Sequence, residues 1–76
     1  MLNSKEIGLR LIELRGGKTQ EEVANDLGIS RSAIAMYESG ERVPRDNIKV
    51  KLATYYESTV QDIFFDKCAH VMRAKI

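Results

Sequence analysis

The chain is short, nearly neutral and poor in cysteine. It has 76 residues, of which 43% are hydrophobic and 30% charged, and its formal net charge is +1. This length allows one domain and disfavours a large internal catalytic cleft, because a chain of this size buries only about 60% of its unfolded surface. Its one cysteine excludes an internal disulfide and a cysteine-rich zinc site, and no apolar run approaches the roughly 20 residues of a membrane span. We therefore expect a soluble, cytoplasmic domain without a secretion signal.

The first helix is predicted from its start, its apolar face and its end. Asn3 followed by Glu6 is typical of a helix start, where both side chains satisfy free backbone N–H groups. Apolar residues then recur at helical spacing and form one face, namely Ile7, Leu11 and Leu14. Gly16 and Gly17 end the helix, because glycine readily adopts the left-handed conformation of a helix C-terminus.

Two further helices follow after short turns. Thr19 and Glu22 form a capping box that begins the second helix, and Gly28 ends it. Ser30 caps a third helix, which Ser39-Gly40 closes. The buried faces of these two helices are predicted to consist of Val23, Ala24, Leu27, Ile34 and Tyr37.

The fourth and fifth helices complete an all-α fold. Pro44 and Asp46 precede the fourth helix, and Thr59 with Asp62 opens a short fifth helix. Their inward residues are predicted to be Ile48, Leu52, Ala53, Tyr56, Ile63 and Phe64. The first 65 residues contain no sustained alternation of apolar and polar residues, which disfavours strands, whereas residues 68–76 are too short and mixed to assign.

The segment 20–39, QEEVANDLGISRSAIAMYES, has the residue pattern of a helix-turn-helix. The small residue Ala24 lies where a second helix crosses the first at a steep angle, and Gly28 supplies the unusual backbone angle of the turn. Apolar residues that fix both helices to the rest of the bundle are Val23, Leu27, Ile29, Ile34 and Tyr37.

This segment carries a family resemblance. TQEEVANDLGISRSAIAMYESGERVP, residues 19–44, resembles the Cro/repressor-like helix-turn-helix proteins, often called the Xre family, and LATYYESTVQDIFF resembles their fourth and fifth helices. The resemblance covers about residues 7–65. It implies a compact five-helix bundle of the lambda-repressor-like type over residues 1–66, with the helix-turn-helix in helices 2 and 3. Residues 67–76 form a tail that is a candidate dimerisation extension. Many family members have a longer connection between the first two helices than Gly16-Gly17-Lys18.

The resemblance also implies how the protein binds double-stranded DNA. The third helix enters the major groove, where the Arg31 guanidinium can donate two hydrogen bonds to guanine; a phosphate contact is the alternative. Gln20 binds a phosphate at the start of the second helix, with capping or a solvent-exposed role as the alternative. The predicted DNA-binding residues are Thr19, Gln20, Ser30, Arg31, Ser32, Ala35, Met36, Tyr37, Ser39, Arg42 and Arg45.

Several of these residues have an equally simple structural role. Thr19 and Ser30 act as helix caps, and Met36 is a candidate to fill the core, since methionine adapts to irregular gaps. The Tyr37 ring is expected to be buried, with its hydroxyl toward a phosphate. Glu38 is expected to pair with a nearby arginine in preference to contacting DNA.

Apolar residues of the fifth helix and the tail exceed what a small core can accommodate. The predicted dimer interface consists of Val60, Phe64, Phe65, Val71 and Met72. The alternative is that Phe64 and Phe65 close the monomer core. In the predicted dimer, the two protomers present their third helices to two half-sites about 34 Å apart.

The expected function is that of a sequence-specific, homodimeric transcriptional regulator, a repressor in preference to an activator, on a palindromic operator. The alternative is an antitoxin-like or other protein-interaction module that keeps the fold and binds a protein partner through its apolar tail. We expect no enzyme activity and no cofactor, because no catalytic set of side chains is present. Cys68 and His70 would need ligands from elsewhere to hold a metal, so no metal site is expected.

Overall fold

Five α-helices joined by short connections make up residues 3–65, the part of the chain that this computed structural model describes. The helices are α1 (Ser4–Arg15), α2 (Gln20–Leu27), α3 (Arg31–Ser39), α4 (Asp46–Tyr55) and α5 (Val60–Phe64). No strand occurs in this range, so the all-α, five-helix prediction is confirmed. The longest of these helices has 12 residues, and none of them is long and apolar enough to cross a membrane.

The predicted caps begin four of the five helices. At α2 the Thr19 hydroxyl accepts a hydrogen bond from the Glu22 N–H at 3.1 Å, while the Glu22 carboxylate accepts one from the Thr19 N–H at 3.0 Å. The other side-chain caps are Asn3 on α1, Ser30 on α3 and Thr59 on α5. The start of α4, after Arg45, has no side-chain cap. Local hydrogen bonds therefore set most of the helix boundaries.

One core joins all five helices, because α1 packs against α3 and α5, α2 against α3 and α4, and α4 against α5. Its buried apolar residues are Ile7, Leu11, Val23, Ala24, Leu27, Ile34, Tyr37, Leu52, Ala53, Ile63 and Phe64. The prediction that Leu14 faces the core is wrong, since this side chain is 39% exposed. Leu14 lies in the last turn of α1, and Gly16 and Gly17, which follow it, have no side chains with which to cover it.

The backbone of α1 lies directly on the C-terminal end of α3. A Cβ atom at Gly8 would overlap the carbonyl oxygen of Glu38 and lie 2.9 Å from that of Tyr37. Only glycine allows this approach without a shift of backbone, so Gly8 sets the distance between the two helices. The apolar pattern of α1 gives no sign that Gly8 has this role.

The Phe64 side chain is part of the monomer core. It has no exposed surface, so the prediction that it forms a dimer interface is corrected: the core encloses it and leaves nothing for a second chain to contact. Val60 and Phe65 are partly buried and pack against the core from its edge. The predicted interface residues Val71 and Met72 lie outside the described residues, as does the whole tail.

An arginine joins α1 to the end of α5. Arg10 Nη1 donates hydrogen bonds to the carbonyl oxygens of Asp62, at 2.6 Å, and Phe65, at 3.1 Å. Carbonyl groups at a helix C-terminus have no partner within the helix, so a cation there satisfies them. Arg10 therefore fixes where the chain leaves α5.

Candidate nucleic-acid interface

The helices α2 and α3 form the predicted helix-turn-helix. Gly28 ends α2 in the left-handed conformation, with φ of 73°, and the Ile29 N–H donates to the Ala24 carbonyl at 3.0 Å. Ala24 is 2% exposed, as expected for the small residue at the crossing. The start of α3 also lies near the start of α2, because Arg31 and Gln20 line the same open groove.

The outer face of α3 begins with free polar side chains. Arg31 and Ser32 are exposed in the first turn, and Arg31 forms no hydrogen bond or ion pair with any described residue. Ala35 and Met36 follow on the same helix and are partly exposed. The opposite face holds Ile34, which is 2% exposed and anchors the helix in the core. A helix fixed on one side and polar on the other can enter a groove without rearranging the bundle.

A buried carboxylate connects α1, α2 and α3. The Glu38 side chain is 4% exposed, and its Oε2 accepts a hydrogen bond from Arg15 Nε at 2.8 Å. Its Oε1 accepts one from Gln20 Nε2 at 2.9 Å. The expectation that Glu38 pairs with a nearby arginine is confirmed. The hydrogen bond that Arg15 donates to Glu38 raises the pKa of Arg15, and burial, with Glu38 nearby, raises the pKa of Tyr56 to about 12.

This network fixes the orientation of Gln20. One amide hydrogen of Gln20 is donated to Glu38, and an amide group has a second hydrogen to donate. The family resemblance implies a phosphate contact for Gln20 but gives no sign of the partner that orients it. The partner lies 18 residues away in the chain, so no local pattern reveals it.

An open groove runs along the start of α2. It is lined by Arg15, Gly16, Gly17, Lys18, Thr19, Gln20, Glu21 and Arg31. Three of these side chains are cationic and one, Glu21, is anionic. The partial positive charge of a helix N-terminus adds to the cations, so the groove as a whole favours an anion. It brings together the predicted residues Thr19, Gln20 and Arg31.

A second set of hydrogen bonds lies on the flank of α2. Lys18 Nζ donates to Tyr55 Oη at 2.8 Å, and the Tyr55 hydroxyl donates to Asp26 Oδ2 at 2.6 Å. The hydrogen bond with Tyr55 raises the pKa of Lys18. The sequence pattern indicates no role for these three residues, because their contact depends on how the short connection between α1 and α2 places Lys18 beside α4.

The remaining predicted residues lie between the cap of α2 and the segment that follows α3. The hydroxyl groups of Thr19 and Ser30 act as caps, and the Ser39 hydroxyl donates to the Met36 carbonyl at 3.2 Å. Tyr37 is 8% exposed, as expected for its ring. The exposed arginines after α3 are Arg42 and Arg45.

No group of three or more His, Cys, Asp or Glu side chains within residues 3–65 is placed to hold a metal ion. Cys68 and His70 lie outside this range.

Comparison with known proteins assigns the family. A model of a helix-turn-helix family matches residues 9–63. An uncharacterized HTH-type transcriptional regulator of Archaeoglobus fulgidus is 30% identical over 56 residues, which cover 74% of this chain and 80% of that protein. Another from Methanocaldococcus jannaschii is 37% identical over 46 residues, covering 60% of this chain and 70% of the relative. No solved structure gives a significant match. The chain therefore belongs to the Xre/lambda-repressor-like helix-turn-helix family of transcriptional regulators.

Proposed function

We propose that this protein is a sequence-specific regulator that binds double-stranded DNA as a homodimer and represses transcription from a palindromic operator. The observation that carries the proposal is the exposed first turn of α3, where Arg31 has no hydrogen-bond or ion-pair partner among residues 3–65 and lines the cationic groove at the start of α2. Both regulators to which the chain is similar support the same class of function.

In the proposed complex the first turn of α3 lies in the major groove. Arg31 donates to guanine O6 and N7, and Ser32 contacts a base or a phosphate. Ala35 and Met36 pack against thymine methyl groups, because neither side chain has a strong hydrogen-bond donor. The sequence preference thus comes from a single α-helix whose inner face is fixed by the core.

The other predicted residues bind the DNA backbone and set the register of α3. Gln20 uses its second amide hydrogen toward a phosphate, while Glu38 holds the first. The positive end of α2 favours the same anion. The remaining backbone contacts in this proposal are Thr19, Ser30, Tyr37, Ser39, Arg42 and Arg45.

The proposed dimer uses the edge of α5. Val60, the first residue of α5, and Phe65, which follows its last residue, are partly buried, and the other residues of the proposed interface are Val71 and Met72 of the tail. Two α3 helices then meet successive major grooves about 34 Å apart, which matches a palindromic operator. Repression follows when the bound dimer covers a promoter, and a cytoplasmic location is consistent with this role.

Replacing Arg31 by alanine tests the proposed base contact. We expect Arg31→Ala to lose preference at one symmetric base pair, at a cost of about 1–3 kcal/mol in discrimination, because a bidentate contact is removed. Arg45→Ala serves as the control: it should weaken binding to all sequences alike and lower the slope of log K against log salt by about 1 for each protomer. Both effects are measured by titrating the preferred duplex and its single-base variants. If Arg31→Ala weakens all duplexes equally, then Arg31 contacts phosphate and the proposed base readout fails.

A further inference from the structure

The backbone of Lys18 is fixed beside the groove at the start of α2. The Lys18 N–H donates to the Arg15 carbonyl at 3.1 Å, and Arg15 Nη1 donates to the Lys18 carbonyl at 2.6 Å. Arg15 is in turn held by Glu38. These hydrogen bonds hold the Lys18 backbone in place, so a change in the position of its charge requires only that the side chain rotate.

The Lys18 side chain is directed along the flank of α2, away from the start of that helix. Its ammonium group donates to Tyr55 Oη at 2.8 Å and lies 4.8 Å from the centre of the Tyr55 ring. Tyr55 is held by Asp26, which lies six residues, or about 9 Å of helix, beyond Gln20. The Asp26 carboxylate also attracts the ammonium group.

These interactions are weak enough for DNA to replace them. Lys18 is exposed and Tyr55 is partly exposed, and an interaction between exposed polar groups contributes little, because water competes for both partners. A DNA phosphate carries a full charge, and its neutralisation also releases a condensed counterion. The lysine side chain is long and flexible, so rotation about its own bonds redirects the charge while the backbone stays in place.

We propose that Lys18, which already lines the groove, is a phosphate-contacting residue: Tyr55 and Asp26 hold its ammonium group on the flank of α2 in the free protein, and the ammonium group turns toward the start of α2 when DNA binds. This inference rests on the proposed function. Its consequence is that Lys18 and Tyr55 have opposite effects: the Lys18 charge strengthens DNA binding, whereas the Tyr55 hydroxyl competes with the phosphate for that charge.

The test measures the affinity of the full chain for its selected duplex at several salt concentrations. We expect Lys18→Gln to weaken binding and to lower the slope of log K against log salt by about 0.9 for each protomer. Tyr55→Phe should leave the slope unchanged and strengthen binding roughly twofold to fivefold for each protomer, because an exposed hydrogen bond no longer has to break. In the double variant the effect of Tyr55→Phe should vanish. Lys51→Gln, which removes an equal charge on α4 outside the groove, should leave the slope unchanged.

Other results would overturn the inference. An unchanged slope for Lys18→Gln would show that Lys18 does not contact a phosphate. If Tyr55→Phe lowers the affinity for DNA, or if it has the same effect with and without Lys18, then the Tyr55 hydroxyl does not compete with a phosphate for the Lys18 ammonium group. Thermal unfolding of each variant separates these outcomes from loss of the fold. If the unmodified protein selects no duplex, the proposed function itself fails and this inference with it, whereas the variant results above leave the proposed function standing.

Discussion

Phe64→Ala is expected to lower the free energy of unfolding by about 3–5 kcal/mol. Phe64 has no exposed surface, although it is the last residue of a helix of only five residues. Its ring therefore fixes α5 to the bundle, and its removal leaves a cavity that a rigid core fills only in part. A core of this size rarely supplies more than about 3–5 kcal/mol of stability, so a large fraction of the variant should be unfolded at 25 °C. Urea unfolding followed by far-UV circular dichroism measures the loss.

Phe65→Ala is the matched control, because the same side chain is removed one residue further on. Phe65 is only partly buried, so its loss should destabilise the monomer much less. Under the proposed dimer, Phe65→Ala should shift the sedimentation profile toward monomer while the protein stays folded. Equal destabilisation by both substitutions would contradict the assignment of Phe64 to the core and Phe65 to its edge.

Gly8→Ala is expected to destabilise the protein by about 1–3 kcal/mol or more, although alanine is normally the better residue within a helix by about 1 kcal/mol. The added methyl group would overlap the Glu38 carbonyl oxygen and lie 2.8 Å from the Glu38 carbonyl carbon. Both are backbone atoms, so no side-chain rotation relieves the overlap and α1 has to move away from α3. We expect a lower midpoint in urea and, because Glu38 orients Gln20, weaker DNA binding at temperatures where the variant is still folded.

Gly17→Ala is the control for this substitution. A Cβ atom at Gly17 would have no neighbour within 4 Å, and Gly17 does not adopt a positive φ. Its unfolding midpoint should stay close to that of the unmodified protein. If Gly8→Ala is as stable as Gly17→Ala, then α1 and α3 are not in the close contact described above.

The sequence predicts those features that depend on neighbouring residues. Thr19, Ser30 and Thr59 cap their helices as expected, since a cap needs only a hydroxyl and an N–H group three residues later. The turn at Gly28 and the crossing at Ala24 follow from a spacing that is itself local.

Features that depend on long-range packing are not predictable in this way. Phe64 and Phe65 are adjacent and chemically identical, and only the packed core makes one of them inaccessible. Gly8 carries no turn signal, because its role is to admit the backbone of a helix about 30 residues further along the chain. The link from Lys18 through Tyr55 to Asp26 spans three elements and requires the positions of all of them.

The most direct test of the account is selection of duplexes from a random library by the full chain, followed by titration of the selected duplex at several salt concentrations. We predict enrichment of a palindrome whose half-sites lie about one helical turn, ~34 Å, apart, bound by two protomers. The absence of enrichment, with only weak and salt-sensitive binding to every duplex, would contradict sequence-specific regulation and would favour a protein partner instead.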